Sequence, residues 1–183
     1  LIIIHLLVHM NYSNNTLKQI ITEHLDFPKK GIVFKDVLPL LQHPDVFSMV
    51  IKEMSESSIV KKADAILSID ARGFIFGAAI SLNLSKPMIV ARKPGKLPGE
   101  LIEKSYDLEY GKNSLAIQKD SIKKFKTFVI VDDLLATGGT AMCAHDMLVG
   151  FKKEITGLSV VIELGEFKGK KDFKFPVDSR IVL

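Results

Sequence analysis

Short apolar runs separated by polar, turn-forming clusters set the pattern of this chain. Apolar residues at Leu17, Ile20, Ile21 and Leu25 share one helical face, which Asn14 or Asn15 can cap and Pro28 ends. The segment "GIVFKDVLPLL" (31–41) has no helical period and reads as extended or irregular. Pro44 and Asp45 open a second helix, with Val46, Phe47, Val50, Ile51 and Met54 as its stripe. Beyond it, "ADAILSI", "KPMIVAR", "TFVIV", "GLSVVIEL" and "SRIVL" are apolar runs of strand length, rich in β-branched residues. Between them, "GFIFGAAISLNL" reads as a small-residue helix packed tightly on a sheet, and "GTAMCAHDMLVGF" as another helix. "SYDLEYG" and "SLAIQ" read as strands flanking a turn at Gly111, Lys112 and Asn113. "KPGKLPGE" (93–100) is polar and rich in turn formers, as a mobile loop should be. Strands alternating with helices predict an α/β fold of three layers, with a mainly parallel central sheet flanked by helices.

Composition changes this picture little. With 183 residues, 47% hydrophobic and 25% charged, the chain can bury a real core and is neither disordered nor collagenous. The net charge of +4 suits an anionic small substrate as well as nucleic acid and does not choose between them. A single cysteine, Cys143, forbids an internal disulfide and fits a reducing, cytoplasmic setting. It reads as a small buried hydrophobe, and His145 on the same helix as structural; the five histidines show no metal spacing. No repeat or linker divides residues 10–183, which are expected to form one domain. The opening "LIIIHLLVHM" is too short to span a membrane, which takes about 20 apolar residues. It lacks the flanks of a signal peptide. Residues 1–9 read as an upstream extension with Met10 as the natural start; an apolar arm packed on a neighbour is the alternative. The run "KGKKDFK" near the end reads as a solvated surface segment.

The chemistry concentrates in "VIVDDLLATGGT" (129–140). Ligands of open α/β sheets bind beyond the carboxyl ends of the strands, where Asp132 and Asp133 fall. Ala136, Thr137, Gly138, Gly139 and Thr140 follow. Their small size lets backbone N–H groups turn toward an anion at the start of the next helix, and the two threonines add hydroxyl donors. Carboxylates beside a phosphate cradle make sense if they accept hydrogen bonds from sugar hydroxyls. The segment then describes a ribose 5-phosphate site. Rival phosphate motifs are absent: the chain has no Gly-Lys-Ser/Thr of a P-loop and no GxGxxG.

This stretch resembles the phosphoribosyl-pyrophosphate signature of the type I phosphoribosyltransferase family. "FPKKGIVFKDVLPLL" (27–41), "IDARGFIFG" (69–77), "RKPGKLPGE" (92–100) and "YDLEYG" (106–111) resemble its adenine-using branch, so the likeness runs from about Leu17 to Leu164. It implies the transfer of a phosphoribosyl group from phosphoribosyl pyrophosphate to adenine, giving AMP and pyrophosphate, with Mg2+ held mainly by substrate and water. It implies that 136–140 cradle the 5-phosphate and that Asp132 and Asp133 hold the ribose hydroxyls. Asp70, Ala71, Arg72 and Gly73 resemble the pyrophosphate loop; Arg72 alone would otherwise be a surface ion pair. Arg92 and Lys93, with Lys96 nearby, resemble the basic residues that reach pyrophosphate across a homodimer interface; otherwise they are a charged strand end. Phe34 would stack on the purine, with Val33 and Lys35 beside its edge; otherwise Phe34 is a core aromatic. Glu109 would handle the purine proton within a closing lid; otherwise it is an exposed carboxylate.

Three positions depart from the family pattern: Lys30 for a usual proline, Leu38 for threonine or serine, and Ala116 for an acidic residue. Two other readings compete. A 6-oxopurine transferase is opposed by Phe34–Lys35–Asp36 and "LEYG". A phosphoribosyl-pyrophosphate-sensing regulator that binds nucleic acid would have no use for the lid carboxylate. Neither a nucleic acid nor a membrane is an expected partner.

Overall fold

A computed structural model of the chain describes residues 14–108 and 111–183. These fall into two compact units, one up to Phe47 and the other from Ser48 to Leu183.

In the first unit, helix α1 (Asn14–Ile20) is followed by two antiparallel strands, β1 (Thr22–Leu25) and β2 (Val33–Asp36). They are in register from Thr22 opposite Asp36 to Leu25 opposite Val33. The helix predicted to reach Leu25 therefore stops at Ile20. The spacing of Ile21 and Leu25 fits a helix locally, but the ladder to β2 and a Glu23–Lys35 ion pair hold Thr22–Leu25 extended. A 3-10 turn, Leu38–Gln42, completes the segment expected to be irregular. Helix α2 (Pro44–Glu56) then carries the chain onward, with Val46, Val50, Ile51 and Met54 of its predicted stripe buried.

The second unit continues through α3 (Ser58–Lys62), β3 (Ala65–Ile69), α4 (Gly73–Leu84), β4 (Met88–Ala91), β5 (Leu101–Leu108) and β6 (Gly111–Gln118). It ends with β7 (Thr127–Leu135), α5 (Gly139–Gly150), β8 (Glu154–Glu163) and β9 (Val177–Val182). The central sheet has the order β4-β3-β7-β8-β9, and every pairing in it is parallel. β3 is wholly buried and β7 and β8 nearly so, which is why they read as apolar runs rather than as alternating strands. Helix α4 packs on β3, β4 and β7, and α5 on β7 and β8. The core they enclose includes Leu67, Phe128, Ile130, Leu148, Leu158 and Val160. From β3 the chain steps outward to β4, then returns to place β7 on the other side of β3. The carboxyl ends of β3 and β7 thus lie side by side where the winding reverses, the place at which such sheets bind ligands.

β5 and β6 form a separate antiparallel ribbon, paired from Leu101 opposite Gln118 to Leu108 opposite Gly111. Gly111, Lys112 and Asn113 are strand residues of β6 rather than the predicted turn, because pairing runs to the very end of the ribbon. Two backbone bonds between Arg92 and the buried Ala116 tie the ribbon to the end of β4. Among the described residues no helix is long and apolar enough to cross a membrane.

Candidate active site

A cleft of about 440 Å3 opens at the carboxyl ends of β3 and β7. β7 runs through both aspartates to Leu135, so Asp132 and Asp133 project from its last turn-ward residues. β3 leads through a cis Asp70–Ala71 peptide and Arg72 into α4. Because β3 and β7 are neighbours, this brings Arg72 to Asp133, with Nε 2.9 Å from Oδ2; the Asp133 side chain is only 7% exposed. The start of α4 presses on β7: a Cβ on Gly73 would lie 2.8 Å from Asp132 Oδ1 and 3.1 Å from Asp132 Cα. Only glycine permits that approach. The Asp133 N–H donates to Asp132 Oδ1 at 2.9 Å.

Two adjacent carboxyls in one enclosed place repel each other. Burial lifts Asp132 well above the ordinary carboxylate range, and the Asp133 charge adds to this. Burial also raises Asp133, against the opposing pull of Arg72. The folded chain therefore keeps these protons to higher pH than the unfolded chain. Their contribution favours folding fully below the unfolded value of roughly 4 and is lost as pH rises through the raised folded value. Asp64, held below its usual value by the N–H groups of Thr127 and Lys126, acts oppositely and at lower pH. Relative to wild type, Asp132→Asn is expected to gain stability as pH rises from about 4 toward neutral. Denaturant titrations across that range check this; a pH-independent difference would show that Asp132 titrates normally.

Beyond Leu135 the loop 136–138 turns into α5. Gly138 stands at its N-cap with φ +85°, a conformation that favours glycine, and no side chain caps the helix. The N–H groups of the first turn are thus presented as an anion site. Ala136, Thr137, Gly138, Gly139 and Thr140 all line the cleft, together with Asp70, Ala71, Arg72, Lys93, Asp132 and Asp133. Gly73 adjoins it as the first residue of α4.

The remaining expected site residues have these surroundings. Arg92 gives its Nε to Asp70 Oδ2 at 2.9 Å and lies over the Phe74 ring at 5.8 Å, so it braces the Asp70 turn. Lys96 is exposed in the 93–100 segment and does not line the cleft. Val33, Phe34 and Lys35 sit on β2 in the first unit. There Phe34 meets Phe27 edge-on, with centroids 5.1 Å apart, Lys35 pairs with Glu23, and Val33 is 43% exposed. Glu109 lies outside the described residues. Cys143 is buried as expected, and burial pushes its thiol up to about 11. His145 stacks on Phe175 with centroids 4.9 Å apart.

Two features escape a reading of the sequence. Tyr106 on β5 lines the cleft, and its hydroxyl is 3.0 Å from Thr140 Oγ1. The "KGKKDFK" run exposes its lysines, yet Gly169 within it is pressed onto the loop at Ala136 and Thr137. A Cβ there would overlap the Ala136 carbonyl oxygen and lie 3.0 Å from the Ala136 and Thr137 carbonyl carbons. Lys170 pairs with the buried Glu163 at 2.7 Å, and the Ser179 hydroxyl donates to the same carboxylate at 3.0 Å. A glycine inside a charge run was the one local sign of this close packing.

This geometry has close relatives. A family model described as "Phosphoribosyl transferase domain" matches residues 40–179. The adenine phosphoribosyltransferase of Prochlorococcus marinus (strain MIT 9211) is 65% identical over 169 residues, covering 92% of this chain and 98% of that protein. The crystal structure of adenine phosphoribosyltransferase from Thermoanaerobacter pseudethanolicus aligns with a TM-score of 0.87 at 37% identity, covering 93% of this chain and 100% of that one. The Saccharomyces cerevisiae enzyme, solved with an imino-altritol bisphosphate and adenine, aligns with a TM-score of 0.81 at 32% identity, covering 92% and 98%. With the family model spanning most of its length and its relatives matched almost end to end, the chain belongs to the phosphoribosyltransferase family, among the adenine phosphoribosyltransferases.

Proposed function

We propose that this protein transfers the 5-phosphoribosyl group of phosphoribosyl pyrophosphate to adenine, releasing AMP and pyrophosphate. The observation that carries the reading is the juxtaposition of an uncapped α5 start, the half-buried Asp132 beside the buried Asp133, and Arg72 around one cleft. The 5-phosphate lies against the N–H groups and hydroxyls of 136–140. The ribose hydroxyls donate to Asp132 and Asp133, which act as acceptors when ionised. The departing pyrophosphate gathers negative charge, met by Arg72, the N–H groups of the Asp70–Gly73 turn and Lys93, with Arg92 holding Asp70 in place.

Adenine stacks on Phe34, beside Val33 and Lys35. Residues 93–111, with Lys96 among them, supply a lid that keeps water from the cationic sugar, and Glu109 handles the purine proton. Arg92 and Lys93 lie toward the interface of a homodimer that works in the cytoplasm.

Magnesium fits this site as a companion of the substrate. Among the described residues no group of three or more His, Cys, Asp or Glu could cage a metal ion, while Asp132 and Asp133 line the cleft. With Mg2+ present, Asp132 and Asp133 would orient the sugar hydroxyls beside it, and the ion would supply positive charge against the leaving group.

The test is direct. Incubated with phosphoribosyl pyrophosphate, Mg2+ and each purine base in turn, the protein should convert adenine to AMP rapidly. Hypoxanthine, xanthine and guanine should give little nucleotide. Efficient use of a 6-oxopurine with adenine inert would overturn the assignment.

A further inference from the structure

The β5–β6 ribbon is fastened along α5 by a regular set of contacts. Lys104 Nζ pairs with Asp146 Oδ2 at 2.6 Å, Cys143 Sγ donates to the Lys104 carbonyl at 3.5 Å, and Tyr106 OH meets Thr140 Oγ1 at 3.0 Å. Thr140, Cys143 and Asp146 are three residues apart and form one stripe of the helix. Lys104 and Tyr106 are two apart and share one face of the strand. Tyr106 is thus the contact nearest the phosphate end of α5. Its ring is half-buried against the core, and it pairs across the ribbon with Asn113.

We propose that Tyr106 is a positioning residue for the 5-phosphate, acting through Thr140 in a directed hydrogen-bond relay that also ties the ribbon to the cradle. The relay rests on the phosphate-site reading given above. Its logic is a count of protons. Thr140 Oγ has one hydrogen to donate, and a phosphate oxygen near neutral pH is an acceptor. Once Thr140 donates to phosphate, its own oxygen can only accept from Tyr106. The chain then runs Tyr106 O–H to Thr140 O–H to phosphate, and each link polarises the next. Burial raises the Tyr106 phenol above its ordinary value, so it stays protonated as the donor across the working pH range. Without Tyr106 the Thr140 hydroxyl still fits the phosphate, but nothing fixes its rotamer.

Tyr106→Phe keeps the ring and its packing and removes only the donor. Titrated with ribose 5-phosphate, it should bind about 3- to 10-fold more weakly than wild type, the size of one neutral hydrogen bond. The KM for phosphoribosyl pyrophosphate should rise by a similar factor. Pyrophosphate affinity should not change, because the Asp70–Gly73 turn is untouched. Thr140→Val should cost less in the Tyr106→Phe background than in wild type, since the two share one chain of bonds. Equal ribose 5-phosphate affinity in wild type and Tyr106→Phe overturns the relay alone. So does equal weakening of ribose 5-phosphate and pyrophosphate, which would mark general loosening. A wild-type protein that does not bind ribose 5-phosphate overturns both the relay and the reading beneath it.

Discussion

Arg72→Met is expected to lower kcat about 10²- to 10³-fold, the typical cost of removing one fixed donor aimed at developing negative charge. Arg72 lines the cleft at the start of α4 and holds Asp133 at 2.9 Å. It therefore has two tasks that one substitution removes together. The first, under the proposed function, is to meet the charge of the departing pyrophosphate. The second is to offset the charge of a carboxylate that is only 7% exposed. Breaking a fully buried pair costs roughly 3–5 kcal/mol. Arg72 is itself 26% exposed, so solvent screens part of the interaction and the loss should be smaller, about 1–2 kcal/mol. Calorimetry should then show a fall in Tm of about 2–8 °C for a chain of this size. Adding Asp133→Asn to Arg72→Met should recover part of the Tm, because no unpaired charge remains, while turnover stays low. Arg72→Lys should fall between wild type and Arg72→Met, since the charge persists but the planar fork of donors does not. Steady-state kinetics with adenine and phosphoribosyl pyrophosphate decide the matter. Near-normal kcat in Arg72→Met would remove Arg72 from the chemistry and leave it a structural partner of Asp133.

Gly169→Ala is expected to lower kcat/KM for phosphoribosyl pyrophosphate about 100-fold, although residue 169 does not line the cleft. The added methyl would collide with the Ala136 carbonyl and crowd Thr137, and both neighbours are backbone. No flexible side chain can swing aside. Either the loop at 136–138 or the segment carrying residue 169 must shift. The segment is held by Lys170 on the buried Glu163, and a Cβ on Gly138 would already lie 2.9 Å from the Phe173 ring, so loop and segment are packed reciprocally. A displacement near 1 Å in a positioning element is enough for a 100-fold loss. Overpacking of this kind costs about 1–3 kcal/mol of stability, so the variant should still fold. Pyrophosphate affinity should change far less than ribose 5-phosphate affinity, which separates a moved cradle from general damage. Lys171→Ala, an exposed neighbour in the same run, serves as the control with wild-type kinetics. Wild-type kinetics in Gly169→Ala would show that the loop tolerates displacement and that the packing is incidental.

Much of the site's chemistry was legible in the chain itself. The run at 129–140 announces a buried strand, two carboxylates and a small-residue loop opening a helix, and these are local features set by side-chain size, charge and backbone freedom. β3, α4, β4, β7, α5, β8 and β9 follow the same logic, since each carries its own period or apolar run. The chain also singled out both Arg72 and Asp133. It could not pair them, because 61 positions separate the two and nothing local specifies that β3 and β7 lie edge to edge. That adjacency comes from burying two apolar runs in one parallel sheet, a choice made by the whole fold.

Elsewhere tertiary contacts decided against local preference. Ile21 and Leu25 have a helical spacing, yet Thr22–Leu25 is a strand because β2 offers it a ladder. Gly111 and Asn113 have turn composition and are strand residues because pairing with β5 extends to Leu108. Tyr106 reads as one more strand aromatic until α5 brings Thr140 to its hydroxyl. Gly169 reads as part of a solvated charge run until the loop at Ala136 closes on it. A sequence records what each residue can do. The brace at Gly169 and the tether at Tyr106 come from contacts more than 30 positions apart, whose closure only the packed core can stabilise.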